Sequence, residues 1–231
     1  MKDMFAQLFS TIPLEHPPHI NWLVHLALLL SLAFLFVLAS KSRGELMVKG
    51  IFLILLLALY GFFIFLDFSW QTSLPFYHCR LAMLFLLFSR TGSKFKQFWA
   101  YLGIIGPIVA FAYPVLYNYP FFHITNISFV LLHQLLFYLS AAYLYRQNNV
   151  TSLSKREIQI YSFSLTVVMA IAVVWTGGNY GFLLDLPILH TRSLWFNTMF
   201  LSLLLALGIR GIQECFFSFK TRKRLAEEGL V

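Results

Sequence analysis

Long runs of apolar residues dominate this sequence. A helix rises 1.5 Å per residue, so about 20 mostly apolar residues are needed to cross the hydrocarbon core of a bilayer. The run at 74–89 is the shortest and needs flanking residues to cross. The sequence predicts an all-α integral membrane protein, a bundle of seven transmembrane helices in one domain of residues 1–231. The predicted spans lie near 20–40, 50–70, 74–89, 97–117, 123–145, 157–177 and 193–217.

The composition agrees with a membrane protein. The chain is 59% hydrophobic and only 11% charged, which is far from the composition of a soluble domain. Its formal net charge of +8 is compatible with nucleic-acid binding, but the basic residues form short clusters between apolar runs. That arrangement is typical of membrane topology. We therefore expect membrane lipids around the chain and no nucleic-acid partner, and the sequence identifies no protein partner.

Lysine and arginine separate by side if seven helices alternate in direction. By the positive-inside rule the richly basic side is cytoplasmic, so the N-terminus is expected outside and the C-terminus in the cytoplasm. On the other side only Lys2 and Arg192 remain, with Arg80 at the mouth of the third helix and Arg210 deep in the last helix. The basic side holds Lys41, Arg43, Lys49, Arg90, Lys94, Lys96, Arg146, Lys155, Arg156, Lys220, Arg222, Lys223 and Arg224.

Polar side chains collect on the predicted outer side. One interpretation is that they face lipid headgroups, where histidine and tyrosine are common. A second is that they line an outward-facing polar cavity. Members of this set include His25, His78, Asp67, His123 and Asn126 in or near the predicted helices, and Asn179 after the sixth helix.

The fifth helix carries a stripe of polar residues. His123, Asn126, Val130, His133 and Phe137 follow spacings of three, four, three and four, which keeps them on one helix face. Lipid cannot satisfy such a face, so we expect it to contact protein or a water-filled cavity. His133, the deepest of these histidines, is a candidate general base. The alternative is a structural role, as a neutral histidine hydrogen-bonded to a neighbouring carbonyl. The spacing of metal ligands is missing, so no metal and no cofactor are expected.

The segment "LPFYHCRLAMLFLL" at 74–87 places a cysteine near the start of the third helix. Cys79 is expected about one turn inside, beside His78 and Arg80, where the helix dipole and a positive charge favour the thiolate. A small inert apolar cysteine is the ordinary alternative. Neighbours on a helix point 100° apart, so Cys79 cannot share a face with both flanking residues. A base for Cys79 is better placed on the fifth helix, at His123 or His133.

Four pieces of the sequence resemble the bacterial YwaF-type integral membrane proteins, a family similar to eukaryotic transmembrane protein 164. They are "INWLVHLALLL", "LPFYHCRLAMLFLL", "FFHITNISFVLLHQLLFYLSAAYLY" and "TGGNYGFLLDLP", in that order along the chain. The resemblance implies a membrane-embedded acyltransferase or lipase-like site, with Cys79 as nucleophile and His133 as base. The bacterial pattern Leu-Pro-x-His-x-Cys is altered here, because Tyr77 stands at the histidine position and His78 follows it.

The resemblance implies a cysteine-dependent acyltransferase or acyl hydrolase that acts on phospholipid acyl esters from the extracytoplasmic side of a bacterial plasma membrane. Arg80 or Arg192 would then hold a lipid phosphate, and Asn126 or Asn179 would stabilise an oxyanion. The alternative is a non-enzymatic polytopic membrane protein with an outward-facing polar cavity. Such a protein would be a small-molecule transporter, a receptor or an envelope-assembly partner.

Overall fold

The fold is a bundle of helices. A computed structural model describes residues 7–41, 45–146, 152–187 and 189–227, with the side chains of 222–227 excepted. Across these ranges the chain has no β-strand, which confirms the all-helical prediction. A short 3-10 turn at Tyr180–Phe182 lies between the last two helices. The helices are α1 (Trp22–Lys41), α2 (Glu45–Phe65), α3 (His78–Phe88), α4 (Lys94–Ala112), α5 (Ile124–Arg146), α6 (Lys155–Thr176) and α7 (Leu194–Glu227).

Six of these helices are long and apolar enough to cross a bilayer. The exception is α3, whose 11 residues extend about 16 Å at 1.5 Å per residue, roughly half of a ~30 Å hydrocarbon core. The run predicted as the third span, 74–89, is therefore helical only from His78 to Phe88. The residues before it form an irregular segment.

The outer surface of the bundle is apolar. In the most apolar 18-residue stretch of each helix, only 11% of the residues of α1 and 22% of those of α7 are buried within the protein. Large side chains such as Trp22, Phe34, Leu57 and Val174 stand exposed on these and neighbouring helices. An apolar surface this extensive is the surface of a protein whose solvent is lipid, so the prediction of a multi-pass membrane protein is confirmed.

Helix α5 lies at the centre of the bundle. It packs against α1, α2, α3 and α4, while α7 packs against α4 and α6. In the corresponding apolar stretch of α5, 67% of the residues are buried, and in that of its neighbour α4, 61% are buried. These two helices therefore carry the side chains with the best chance of forming a protein-lined site.

Basic residues cluster at one end of the bundle, which we call the basic end. There the Lys94 ammonium lies 2.6 Å from the Glu157 carboxylate and joins α4 to α6. Arg146 at the end of α5 pairs with Glu45 at the start of α2. The α1–α2, α3–α4 and α5–α6 connections thus lie together, as the alternating topology requires. Lys2 and Arg43 fall outside the described residues, as do the side chains of Arg222, Lys223 and Arg224.

The opposite end of the bundle is closed by its connecting segments. The Tyr180 hydroxyl donates to the Trp70 carbonyl, and the Tyr180 ring is fully buried against Phe76 and Tyr77. The α6–α7 connection therefore covers the irregular segment 66–77 that leads into α3. Protein cover of this kind is what permits non-helical backbone at membrane depth.

Candidate functional site

Cys79 lies in the first turn of α3, because the helix begins at His78 rather than at Leu74. Its partly buried side chain points at α4, where a Cβ built on Gly106 would lie only 2.6 Å from the sulfur. Nine residues of helix separate Cys79 from Phe88, about 14 Å of rise. That rise is about half the thickness of a ~30 Å hydrocarbon core.

Within the described part of the chain, the first backbone N–H groups of α3 have no hydrogen-bond partner. Tyr77 occupies the N-cap position and provides no side-chain cap. The first N–H groups of a helix have no partner within the helix, and they carry the positive end of the dipole. Cys79 therefore lies beside backbone donors that favour an oxyanion formed next to its sulfur.

His133 is buried in the middle of α5 and is 8% exposed. Its Nδ1–H donates to the Phe129 carbonyl at 2.6 Å, and its ring packs against Phe111 and Phe129. A neutral imidazole with the proton on Nδ1 carries a lone pair on Nε2. The hydrogen bond that makes His133 look structural thus also fixes the tautomer that a general base needs.

The register between α4 and α5 relates the depths of Cys79 and His133. Gly103 of α4 lies directly against Leu136 and Ser140 of α5. Because the two helices run antiparallel, Gly106 is level with residues 133–137. Cys79 contacts Gly106, so Cys79 and His133 lie at the same depth to within about 6 Å. Helix α3 also packs directly on α5.

His78 points in a different direction from Cys79. Its ring lies against Gly181 of the 3-10 turn and against Met169 of α6. Gly181 has a φ of 58°, a left-handed conformation that glycine adopts without strain. The buried Nε2 of His78 makes no hydrogen bond within the described part of the chain. His78 thus lies against the α6–α7 connection.

Arg80 is buried, with 6% of its surface exposed. One guanidinium nitrogen donates to the carbonyls of Thr72 at 2.6 Å and Leu74 at 3.0 Å, and another donates to the Tyr117 hydroxyl. The guanidinium also lies 4.9 Å from the ring centres of Phe63 and Tyr77. Arg80 therefore braces the segment that precedes α3 and fixes where that helix begins.

His123 and Asp67 belong to a cluster at the closed end of the bundle. The Thr125 backbone N–H donates to His123 Nδ1 at 3.3 Å, so Nε2 carries the proton and donates to the Ser10 carbonyl at 3.1 Å. The ring of Tyr119 stacks on His123 at 4.2 Å, and its hydroxyl donates to Asp67. Both ring nitrogens of His123 are engaged in hydrogen bonds. Of His123, just before α5, and His133, within α5, His133 is therefore the better candidate for a general base.

The same cluster has two shifted pKa values. Burial lowers the pKa of His123, against smaller opposing effects of the Ser10 carbonyl and the Asp67 charge. Burial, followed by the hydrogen bond to Asp67, raises the pKa of Tyr119. Tyr119 therefore stays a donor and His123 stays neutral, which is the state that this packing requires.

Both candidate asparagines hold loops. Buried Asn126 donates its amide to the carbonyls of Tyr117, Tyr119 and Pro120 at 3.0–3.3 Å and accepts from the Tyr117 N–H at 2.9 Å. Exposed Asn179 accepts from the Leu184 N–H at 2.8 Å. Each side chain is thus committed to neighbouring backbone.

The remaining candidates, His25 and Arg192, belong to other elements than α3 and α5. His25 is half-buried on α1, a helix that packs on α4 and α5, and Arg192 is exposed before α7. Among the described residues, no group of three or more histidine, cysteine or acidic side chains is positioned to hold a metal ion. An apolar groove of about 810 Å³ between α6 and α7 is lined by Trp175, Trp195 and other lipid-facing residues, and not by Cys79.

Sequence reasoning missed the tyrosines that surround Arg80. Tyr60, Tyr77 and Tyr117 come from three separate stretches of the chain and converge on one guanidinium. It also missed Asn197, which is buried and donates to the carbonyls of Leu183 and Thr191. The sequence held only weak signals of these contacts. Asn197 is an amide inside an apolar run, and Arg80 is a cation with no acidic residue near it in sequence.

The chain matches one known protein family. A family model described as the TMEM164 family matches residues 14–210, which include Cys79, His133 and every other candidate residue. No curated protein and no solved structure matches the chain. The family match extends from before α1 into α7.

Proposed function

Because the chain belongs to the TMEM164 family, we propose that it is a membrane-embedded, cysteine-dependent acyltransferase or acyl hydrolase of phospholipid acyl esters. We further propose that it is a YwaF-type protein of a bacterial plasma membrane. In that membrane the chain crosses seven times, with its N-terminus outside, and the acyl ester enters from the extracytoplasmic side.

One observation carries the proposal. Cys79 lies in the first turn of α3 at about the depth of His133, whose Nε2 holds a lone pair. A thiol at a helix start and an unprotonated imidazole nitrogen are the nucleophile and base of covalent acyl transfer. No carboxylate is needed to orient His133, because the Phe129 carbonyl already does so.

The first half-reaction forms a thioester. His133 Nε2 takes the proton of the Cys79 thiol, and the sulfur attacks the ester carbonyl carbon. The carbonyl oxygen becomes an oxyanion, which the unpaired backbone N–H groups at the start of α3 stabilise. The carbon–oxygen ester bond then breaks, and the leaving alkoxide takes the proton from His133.

The second half-reaction releases the acyl group. A hydroxyl group of an acceptor lipid, or water, gives its proton to His133 Nε2 and attacks the thioester carbonyl. The carbon–sulfur bond breaks and Cys79 regains the proton. With a lipid hydroxyl the product is a new ester, and with water it is a free fatty acid, so the acceptor decides between transferase and hydrolase.

The proposal is tested by trapping the thioester. Purified protein is incubated with phospholipid that bears a labelled acyl chain, and hydroxylamine-sensitive label on the protein is measured. We expect label on the wild type and none on Cys79→Ala. The matched control is Cys215→Ala, which removes the exposed thiol of α7 and should label normally.

A second variant tests the base. His133→Ala should lower the labelling rate by about 10²–10⁴-fold, the usual contribution of general acid–base catalysis. Equal labelling of the wild type and Cys79→Ala would refute the enzyme and leave the non-enzymatic alternative. Normal labelling of His133→Ala would refute His133 as the base and would leave the role of Cys79 standing.

A further inference from the structure

The basic end contains a cavity that has no part in the proposed reaction. It has a volume of about 330 Å³ and lies among α2, α3, α4 and α5. That volume equals roughly ten water molecules at ~30 Å³ each, enough for a small polar group. Its lining residue Leu87 is eight residues from Cys79, about 12 Å along α3.

The cavity carries an excess of positive charge. Of the described residues, the cations Lys49, Lys96 and Arg146 line it, against one carboxylate, that of Glu45. That carboxylate is already shared, with one oxygen 2.6 Å from the Lys49 ammonium and the other paired with Arg146. An excess of two positive charges therefore faces the cavity.

Lys96 is the cation least expected at this position. It is 6% exposed, its Nζ donates to the Ser89 carbonyl at 3.1 Å, and it lies 5.5 Å from the centre of the Tyr143 ring. Within the described residues no carboxylate lies within salt-bridge distance of Lys96. Burying an ammonium is costly unless an anion compensates it, and the ammonium keeps further N–H donors beyond the one that Ser89 uses.

The rest of the lining is apolar. Leu86, Leu87 and Leu139 form that part of the wall, and the hydroxyl-bearing Thr91 and Tyr143 complete it. A cationic cavity with a leucine wall at the end of a membrane bundle suits an anion attached to an apolar chain. A phosphate fits the charge best, since its several oxygens accept from donors that approach from different directions.

We propose that this cavity binds the phosphate group of a phosphate ester, with Lys96 as its central ligand and Lys49 and Arg146 at its rim. The leucine wall favours the headgroup of an anionic phospholipid over a soluble phosphate compound as the source. The site is independent of the proposed reaction at Cys79, since none of its lining residues takes part in that chemistry.

Binding to the purified full-length protein tests the site. Native mass spectrometry counts bound dioctanoyl phosphatidic acid, with inorganic phosphate and glycerol 3-phosphate as chain-free probes and dioctanoylglycerol as the phosphate-free probe. We expect phosphatidic acid to bind the wild type and Lys96→Met to bind it at least ~10-fold more weakly, since charged hydrogen bonds are lost. The matched control Lys94→Met removes an exposed lysine outside the cavity and should bind as the wild type does.

Each outcome has a definite meaning. Tight binding of phosphatidic acid alone supports a lipid headgroup, and equal binding of glycerol 3-phosphate supports the site but assigns it to soluble phosphate esters. Unchanged binding by Lys96→Met, or equal binding of dioctanoylglycerol, overturns the proposal. If Lys96→Met does not fold, Lys49→Gln tests the same charge, because that side chain is 43% exposed, and it should weaken binding several-fold. Failure here leaves the thioester experiment unaffected.

Discussion

The Cys79 sulfur lies against Gly106, 2.6 Å from the position that a Cβ on that glycine would occupy. Helices α3 and α4 thus meet at the proposed nucleophile with no room for a methyl group.

Gly106→Ala should therefore displace Cys79. Overpacking of this kind costs about 1–3 kcal/mol and moves the side chains involved. We expect thioester labelling of Cys79 to fall markedly while the protein still folds, measured with labelled phospholipid beside a thermal unfolding curve. Gly61→Ala in α2 is the control, because a Cβ there has no neighbour within 4 Å. Equal loss of labelling in both variants would contradict a specific contact.

Arg80→Met should destabilise the protein. The change leaves the carbonyls of Thr72 and Leu74 without their donor, at a cost of about 1–3 kcal/mol for each buried group. Arg192→Met removes an exposed arginine and should change the free energy of unfolding by no more than ~0.5 kcal/mol. Chemical denaturation in detergent measures both. A stable Arg80→Met variant that binds lipid poorly would instead identify Arg80 as a headgroup ligand.

Asn126→Ala should loosen the connection between α4 and α5. The variant loses the amide that joins three carbonyls and one N–H of residues 117–120, so we expect a loss of about 2–4 kcal/mol. Asn179→Ala loses one exposed hydrogen bond and should cost about 1 kcal/mol or less. Hydrogen exchange of the 117–120 amides locates the effect. Unchanged exchange there would show that the loop is held by other contacts.

Stability should fall in mild acid because of His123. Burial lowers the pKa of His123, so the unfolded chain binds a proton at a higher pH than the folded chain does. Unfolding therefore becomes more favourable as the pH drops below about 6.5, the ordinary histidine value. The thermal midpoint of the wild type should decrease from about pH 7.5 to about pH 5.5. His123→Gln should show a smaller decrease, and an identical decrease would place the effect at another group.

The positions of the helices could be predicted from the apolar runs, but the short length of α3 could not. Apolar run lengths predict six spans, which overlap α1, α2, α4, α5, α6 and α7. Helix α2 begins and ends five residues before the predicted span 50–70. Helix α3 starts late because Pro75 disfavours helix in the residue before it, and Arg80 then uses its donors on the carbonyls of residues 72 and 74. An apolar run does not reveal that its first residues are held out of the helix by a side chain further along the chain.

The polar residues of α5 were predicted to share one helix face. In the structure they make different contacts. The side chains of His123, Asn126, His133 and Phe137 are buried in protein, as the spacing predicted, and Val130 is half-buried. Yet His123 and Asn126 hold loops at the closed end, and His133 alone lies level with Cys79. Periodicity predicts a shared face, whereas the hydrogen-bond partners come from Ser10 and the 117–120 connection. These partners are fixed only by the tertiary fold.

The eleven residues of α3 have a consequence for how this chain enters a membrane. A helix of this length carries too little apolar surface to insert stably by itself, since insertion of a lone segment requires about 20 apolar residues. Helix α4 follows after five residues and packs along α3. The two would therefore be integrated as a paired hairpin, and the cysteine would reach its final depth only once α4 has been synthesised.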